Sequence, residues 1–547
     1  MKEIDIIAVL FVLLFGSVVY VAGLNVPVLE IDSAQYASIS REMCETQNYL
    51  MVQHRGENYL DKPPLLFWLS SLSITILGVS AFAFKLPSFL FSILGFYSTY
   101  RLGILLYNRA IALISMLILF TTEAIFLFNQ DVRTDTMLTG AVIFAIWQLY
   151  AYIRYNKWYN FLLGFIGIAI AMLSKGPIGL MVPILAIGTD LLIHKKFKVL
   201  VNFKWIIGLI IVAIILLPMT YGLFKQFGWE GVKFYYWTQS FGRITGENVW
   251  KNDAGYFFFV HTYLWSFLPY SFLGILAIIY KFKELIAYFK NRIDNNTEFL
   301  TLSGFILPFI ALSFSKYKLP HYIFVMFPIM AIMTGYYVYS IISKYKVKYL
   351  QYVKITNYLV VIINWILLFA CLLFFFPTQN ILLYLLTLIF LVVTIYFFLQ
   401  KSNLLNQILL PLAVSSVALN LILNIYTFPN LMKYQSGIKA AEIYNTYKKN
   451  NEKLIGYRVQ SHSLDFYSEQ IVPNYQDLDK IKSEINTNNW IITDEIGKKE
   501  LEPFITKNTK IWELPTYHVA LLSMKFLNPQ TRNKTLKFRY LIKFYKL

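Results

Sequence analysis

The chain has 547 residues, 57% hydrophobic and 18% aromatic, above the roughly 45–50% apolar average of soluble globular proteins. Its formal charge of +19 would suit nucleic acid. Apolar runs of roughly 20 residues, enough to cross a bilayer core, recur instead along most of the chain and identify a polytopic membrane protein with no nucleic-acid partner. The excess Lys and Arg then fits the cytoplasmic loops that orient such proteins, with anionic membrane lipids as a second partner. Cys44 and Cys371 form neither metal spacing nor a disulfide framework.

In chain order, the first run, Ile4 to Leu24, lacks a small-residue cleavage site and reads as an anchor. About 13 candidate spans meet the roughly 20-residue criterion. They centre near Phe15, Leu94, Leu117, Phe144, Ile166, Leu185, Ile211, Leu268, Ile306, Met326, Ile366, Leu386 and Val414. With the N-terminus inside, every basic cluster faces the cytoplasm. These are Arg101/Arg109, Arg154/Lys157, Lys195-Lys196/Lys198/Lys204, Lys281/Lys283/Lys290/Arg292, Lys344/Lys346/Lys348/Lys354 and Lys401.

The opposite face receives a long first loop (25–64), loops at Arg133 and Lys175, the segment 225–255, the turn 316–321 and everything after Phe428. Leu65–Leu77 is short for a span and reads as a helix lying along that surface. The fold class is therefore an all-α polytopic membrane domain over 1–430, with interfacial helices at 25–80. A small extracytoplasmic α/β domain follows over 431–547. Its strand-like runs are 454–457 and 490–493, and its helix-like stretches are 438–448 and 478–485.

The polar motifs gather on the outer face. Tyr36, Ile39, Ser40 and Met43 follow helical spacing after Glu30-Ile31-Asp32. Asp32 is either the N-cap of that helix or a carboxylate aimed into a site. Asp61-Lys62-Pro63-Pro64 allows a similar choice. Asp61 can cap, proline can start a helix and Lys62 can snorkel. Snorkelling lysines belong mostly inside, however, and two prolines would hold this ammonium in one place. A fixed ammonium at an outer membrane surface suits a lipid phosphate. Gln130-Asp131-Val132-Arg133-Thr134-Asp135, Ser174-Lys175-Gly176-Pro177 and Ser315 through Tyr322, with Lys316, Lys318 and His321, end spans on the same side. With Lys62 they make one basic pocket.

None of the six histidines forms an HxxxH or HExxH pair, so zinc is not indicated. A divalent metal held by Asp61 with His54 or His261 is the one metal site the residues leave open. No Walker-type or Rossmann glycine pattern is present.

These motifs resemble the dolichyl-phosphate-mannose–protein mannosyltransferase superfamily, in particular bacterial aminoarabinose-transferase-like glycosyltransferases that modify lipid A. The matching residues are Asp32–Ala37 with Ser40–Met43, Asp61–Pro64 with Trp68, and Lys85–Ser88. Further matches are Arg133–Asp135, Lys175–Pro177, Ser315–Tyr322 and Tyr434–Gly437. The resemblance implies a GT-C glycosyltransferase fed by a polyprenyl-phosphate sugar donor, with Asp32 as catalytic carboxylate and Lys62 as phosphate ligand. Glu30, Asp61, Arg133, Asp135, Lys175, Lys318, His321 and Tyr322 complete the expected substrate-binding set. Two departures stand out: Asp32-Ser33 where the family often has Asp-Glu, and Gln35 where it often has an arginine. Arg133 is the candidate replacement.

The expected chemistry is attack by an acceptor hydroxyl or amine on the anomeric carbon, with Asp32 as general base and the cations stabilising the departing phosphate. No metal is required if the cations do this. The acceptor is a lipid such as lipid A, a protein or a glycan, reached from the outer face of the bacterial cytoplasmic membrane. The competing classes are a transporter or flippase for a lipid-linked sugar and a non-catalytic envelope assembly protein.

Overall fold

A computed structural model describes residues 5–240, 242, 252, 254–293, 297–344, 347–400, 403–485 and 489–545. Lys346, Lys401 and, within the 225–255 segment, residues 241, 243–251 and 253 lie outside the described residues.

The chain is a multi-pass helical membrane protein. Among the described residues nine helices are long and apolar enough to cross a bilayer, or up to 11 if each of two bent pairs is one span. The bent pairs are Arg109–Phe120 with Glu123–Gln130 and Phe258–Ser266 with Ser271–Phe289. The runs centred near Leu185 and Ile306 form shorter apolar helices, Ile178–Ile193 and Leu300–Ser313. The sequence count of about 13 thus included two segments that composition marks as spans and that stop short of spanning length.

Burial sorts the spans. Thr134–Tyr155, Pro320–Ser343 and Leu404–Met432 are largely buried, whereas Phe197–Thr238 and Ile381–Leu399 turn most of their apolar surface outward, as lipid-facing helices do. Lys281, read as part of a basic loop cluster, is instead fully buried. It pairs with Glu298 at 2.9 Å and Glu284 at 3.1 Å, because a cation withdrawn from water needs a carboxylate partner.

Two short helices follow the first span. Asp32–Thr46 buries ten residues, Ser33, Ala34 and Tyr36–Met43. Leu65–Leu77 packs on it through Leu65, Leu66 and Phe67 and leaves Leu72, Ile76 and Leu77 exposed. Between them β1 (Gln53–His54) and β2 (Glu57–Asn58) form an antiparallel hairpin. Its turn is held by the buried Glu42 carboxylate, which accepts from the N–H groups of Arg55 at 2.7 Å and Gly56 at 2.8 Å.

The C-terminal part is a five-stranded mixed sheet in the order β4-β3-β5-β7-β6. Its strands are β3 (Leu454–Tyr457), β4 (Asn474–Tyr475), β5 (Trp490–Thr493), β6 (Lys510–Thr516) and β7 (Lys537–Lys543). The parallel β3–β5 pair is buried throughout, as strands covered on both faces are. One face packs on Ser436–Tyr447 through Ala440, Ala441 and Tyr444 with Trp490 and Leu541. The other covers Ile481, Ile485 and Leu501.

The Tyr434–Gly437 motif docks this sheet on the first loop. The Gln435 amide accepts from the Glu30 N–H at 3.0 Å and donates to the Val28 carbonyl at 2.9 Å. Gly437 has no room for a side chain, since a Cβ there would run into Ser461 and lie 2.7 Å from the Ser463 hydroxyl. A glycine permits that close approach.

Candidate functional site

The Lys62 turn and the ends of Trp158–Lys175, Phe197–Thr238 and Leu300–Ser313 meet around one cleft of about 710 Å³, its open mouth included. Lys62, Lys175, Gln239, Ser315 and Tyr322 supply its polar wall, and Pro63, Ile178, Met181 and Leu312 its apolar wall. Neither aspartate caps a helix. Asp32 is the first residue of Asp32–Thr46 and makes no capping bond, while Leu65–Leu77 starts after Pro64 without a side-chain cap. Of the two roles left open by sequence, the carboxylates are therefore free of the capping one.

Lys62 reaches Asp61 at 2.7 Å, with the lysine 18% and the aspartate 38% exposed. Gln239 donates to the Asp61 backbone carbonyl. Asp32 is paired with Arg133, which also grips Asp131 at 2.8 Å. Burial works against the Arg133 charge, but Asp131 and Asp32 outweigh it and raise its pKa. Arg133 thus orients Asp32 and does not line the cleft, so the phosphate role offered for it by sequence is not one its contacts show. Tyr59 lies near both aspartates. Burial first, then the charges of Asp61 and Asp32, push its phenol well above the ordinary value, and its buried hydroxyl has no hydrogen-bond partner among the described residues.

Lys175 pairs with the buried Asp135 and stands 3.9 Å over the Tyr322 ring, and His321 sits 3.7 Å from the other Asp135 oxygen. Lys318 goes elsewhere. Its ammonium donates to the carbonyls of Ala254 at 2.7 Å and Gly255 at 3.3 Å, and its backbone is bonded both ways to Asn252. It holds Asn252, Ala254 and Gly255 rather than lining the cleft. Glu30 is likewise engaged outside the cleft, accepting from His462 N–H at 2.7 Å, Ser463 N–H at 3.1 Å and the Ser461 hydroxyl at 3.1 Å. The sequence reading missed Tyr59, two residues before Asp61, and Gln239, whose segment carried no recognisable motif.

Among the described residues no three of His, Cys, Asp and Glu converge as a metal site. The His54 ring packs at 5.0 Å on His462. Burial, then the neighbouring His462 and Arg55, lower the His54 pKa to about 4. Burial also lowers His462. Asp465, ion-paired with Arg55 at 2.6 Å, is raised to about 6 because burial outweighs that pair.

These shifts have opposite signs for stability. The unfolded chain binds more protons at His54 between about 6.5 and 4, so that contribution is lost as pH falls through this window. Asp465 binds more protons when folded between about 4 and 6, so its contribution falls as pH rises. His54→Gln should therefore unfold less steeply with acid than the parent chain, with Asp465 common to both. Thermal melts at pH 4.5 and 7 read the difference; an unchanged difference removes His54 from the account.

Three comparisons bear on the family. Residues 61–221 match the family described as dolichyl-phosphate-mannose-protein mannosyltransferase. The chain is similar to undecaprenyl phosphate-α-4-amino-4-deoxy-L-arabinose arabinosyl transferase 2 of Proteus mirabilis, 24% identical over 353 residues, 63% of this chain and 62% of that protein. It is also similar to the corresponding transferase of Yersinia enterocolitica, 25% identical over 332 residues, 59% of this chain and 58% of that protein. The match thus spans about three-fifths of these relatives' length.

In structure the chain is similar to ArnT from Cupriavidus metallidurans bound to undecaprenyl phosphate. The TM-score is 0.75 at 15% identity, over 98% of this chain and 97% of that one. The apo form of that protein gives 0.71 over 97% of each chain, at 15% identity. The resemblance read from the motifs is borne out, and so is the GT-C fold.

Proposed function

We propose that this chain, which has the fold of those transferases along nearly its whole length, is itself a glycosyltransferase that moves a sugar from a polyprenyl-phosphate carrier to an envelope acceptor. The observation that carries this reading is the cleft holding Lys62 and Lys175 over an apolar floor, with Asp61 of the Lys62 turn and the Arg133-paired Asp32 both acting on Tyr59. Ammonium groups recognise a phosphate, and the floor continues toward a tail site. The helix that supplies Ile178 and Met181 also lines an apolar groove with Leu180, Pro183, Ile184 and Ile187. A prenyl chain fits such a groove by burying apolar surface.

The bond changes are those of a displacement. An acceptor O–H or N–H attacks the anomeric carbon and passes its proton to the Asp32 carboxylate. The bond from that carbon to the phosphate oxygen breaks, and its electron pair leaves with the phosphate. Lys62, with Lys175 behind it, stabilises the charge that grows there. Attack opposite the leaving group inverts the sugar carbon, as in inverting glycosidases. A lipid acceptor such as lipid A is preferred on the motif resemblance to transferases that modify lipid A, with the site and the C-terminal sheet on the extracytoplasmic side; the relatives' names give the undecaprenyl-phosphate sugar as donor.

The test is release of free polyprenyl phosphate from a labelled polyprenyl-phosphate sugar by the purified protein, with label arriving on an added envelope lipid, protein or glycan. Absence of release overturns the reading. Movement of the intact carrier across a vesicle bilayer without release would assign a flippase instead.

A further inference from the structure

The segment that joins β6 to β7, residues 517–536, carries three large apolar side chains in the open. Leu521 and Met524 are 70% and 68% exposed, and Leu522 is 47% exposed. Three such side chains within four residues make an apolar patch of the kind that marks an interaction site. The loop that presents them is closed and packed. The Tyr517 hydroxyl stands 3.0 Å from the Ser523 hydroxyl and 3.2 Å from the Leu521 carbonyl. Ser523 in turn caps the short helix Met524–Leu527 by accepting from the Phe526 N–H. The Tyr517 and Phe526 rings stack at 3.9 Å. Val519 and Phe526 thus turn inward and leave Leu521, Leu522 and Met524 outside.

What lies outside follows from where the segment is fastened. Val519 and Phe526 pack against Val26, Phe376, Leu431 and Met432. Those residues stand at the ends of three spans, Ile6–Asn25, Leu350–Phe375 and Leu404–Met432. The buried Arg532 donates to the Phe375 carbonyl and, at 3.0 Å, to the Phe526 carbonyl, and it lies 4.3 Å over the Phe376 ring. The next span, Ile381–Leu399, begins five positions after Phe376, and its first two residues, Ile381 and Leu382, are largely exposed. An exposed apolar side chain on a span faces lipid. The bilayer therefore reaches up to the level at which the 517–536 segment is held. The charge of the segment agrees: it has Lys525, Arg532 and Lys534 and no Asp or Glu. That is the composition of a chain lying at the head-group layer, with nothing in it to repel lipid phosphates.

We propose that Leu521, Leu522 and Met524 form a membrane foot of the C-terminal sheet, inserted among the acyl chains just below the head groups of the adjoining bilayer surface. The partner is the lipid surface itself, whether or not the chain transfers a sugar. The sheet is then held at two places: to the first loop through Gln435 and Glu30, and to the bilayer through this loop.

The test uses the full chain in nanodiscs of mixed zwitterionic and anionic phospholipid. Leu522→Cys, in a Cys44→Ser/Cys371→Ser background, carries an environment-sensitive fluorophore. Lys507→Cys, exposed and at the other end of β6 from Tyr517, is the control. The 522 probe is expected to be quenched by phospholipid with a doxyl group near the glycerol and less by one labelled at the chain end, for an insertion of roughly 5–10 Å. The 507 probe is quenched by neither. Met524→Cys gives a second position, and melting of each labelled chain close to the unlabelled one shows that the fold is kept. No quenching at 522 and 524, or quenching equal to that at 507, overturns the proposal. Unquenched probes that crosslink to a second copy overturn it in favour of a contact between chains.

Discussion

Lys62→Ala is expected to lower kcat/KM for transfer by about 10²–10³-fold, the cost of removing one preorganised group that stabilises developing charge in an acyl or phosphoryl leaving site. The reason lies in how the two cleft lysines are neutralised. Lys175 faces Asp135, which is 2% exposed and also has His321 at 3.7 Å. That carboxylate is tied to the protein, and the Lys175 charge with it. Lys62 faces Asp61, which is 38% exposed. A pair so open to water is weakly held, so the Lys62 ammonium is free to turn to a phosphate entering the cleft.

The same contrast predicts how the variants fail. Lys62→Ala should reach the membrane at the parent level and melt within a few degrees of it. Lys175→Ala strands a buried carboxylate, which costs on the order of 3–5 kcal/mol, and should be lost largely through instability. Membrane-protein yield and melting measured alongside transfer separate the two. Near-parent transfer by Lys62→Ala would remove the phosphate role. Lys62→Arg should keep a fraction of activity, because a guanidinium carries the charge on a different fork.

Asp32→Asn is the second large effect. Loss of a positioned general base removes about 10²–10⁴-fold in rate. The amide keeps the shape and one acceptor oxygen for Arg133, so the helix Asp32–Thr46 and carrier binding should persist. The expected pattern is a collapsed single-turnover rate with carrier affinity within threefold of the parent. Full turnover would exclude Asp32 as the base, and lost carrier binding would make it a structural partner of Arg133 instead. Arg133→Lys gives the complementary result: the charge remains, the grip on both Asp131 and Asp32 does not, and the rate falls through misorientation.

How much of this was legible beforehand follows from what short stretches of sequence encode. Lys62 and Lys175 were readable because each sits in a short rigid turn against an apolar run, and prolines fix backbone locally. The membrane fold was readable because the bilayer imposes one length and one polarity on every span. Lys318 shows the limit. Its turn, like the Lys62 and Lys175 turns, sets a lysine shortly before a proline, yet its ammonium is consumed by the carbonyls of Ala254 and Gly255. Which way a side chain points after a turn depends on what packs beside it.

By itself the sequence determined a multi-pass helical chain, the turns that carry its charge, and the family whose motifs it shares. Local periodicity and hydropathy are enough for those. Only the tertiary structure decided the partners. Arg133 orients Asp32 from 101 residues away, and Glu30 is spent on the helix at His462–Tyr467 from 432 residues away. Arg539, which no motif marked, is brought to a cavity wall that it shares with Glu30 and His462. Contacts at such separations are set by how helices and sheet pack, and no local pattern encodes them.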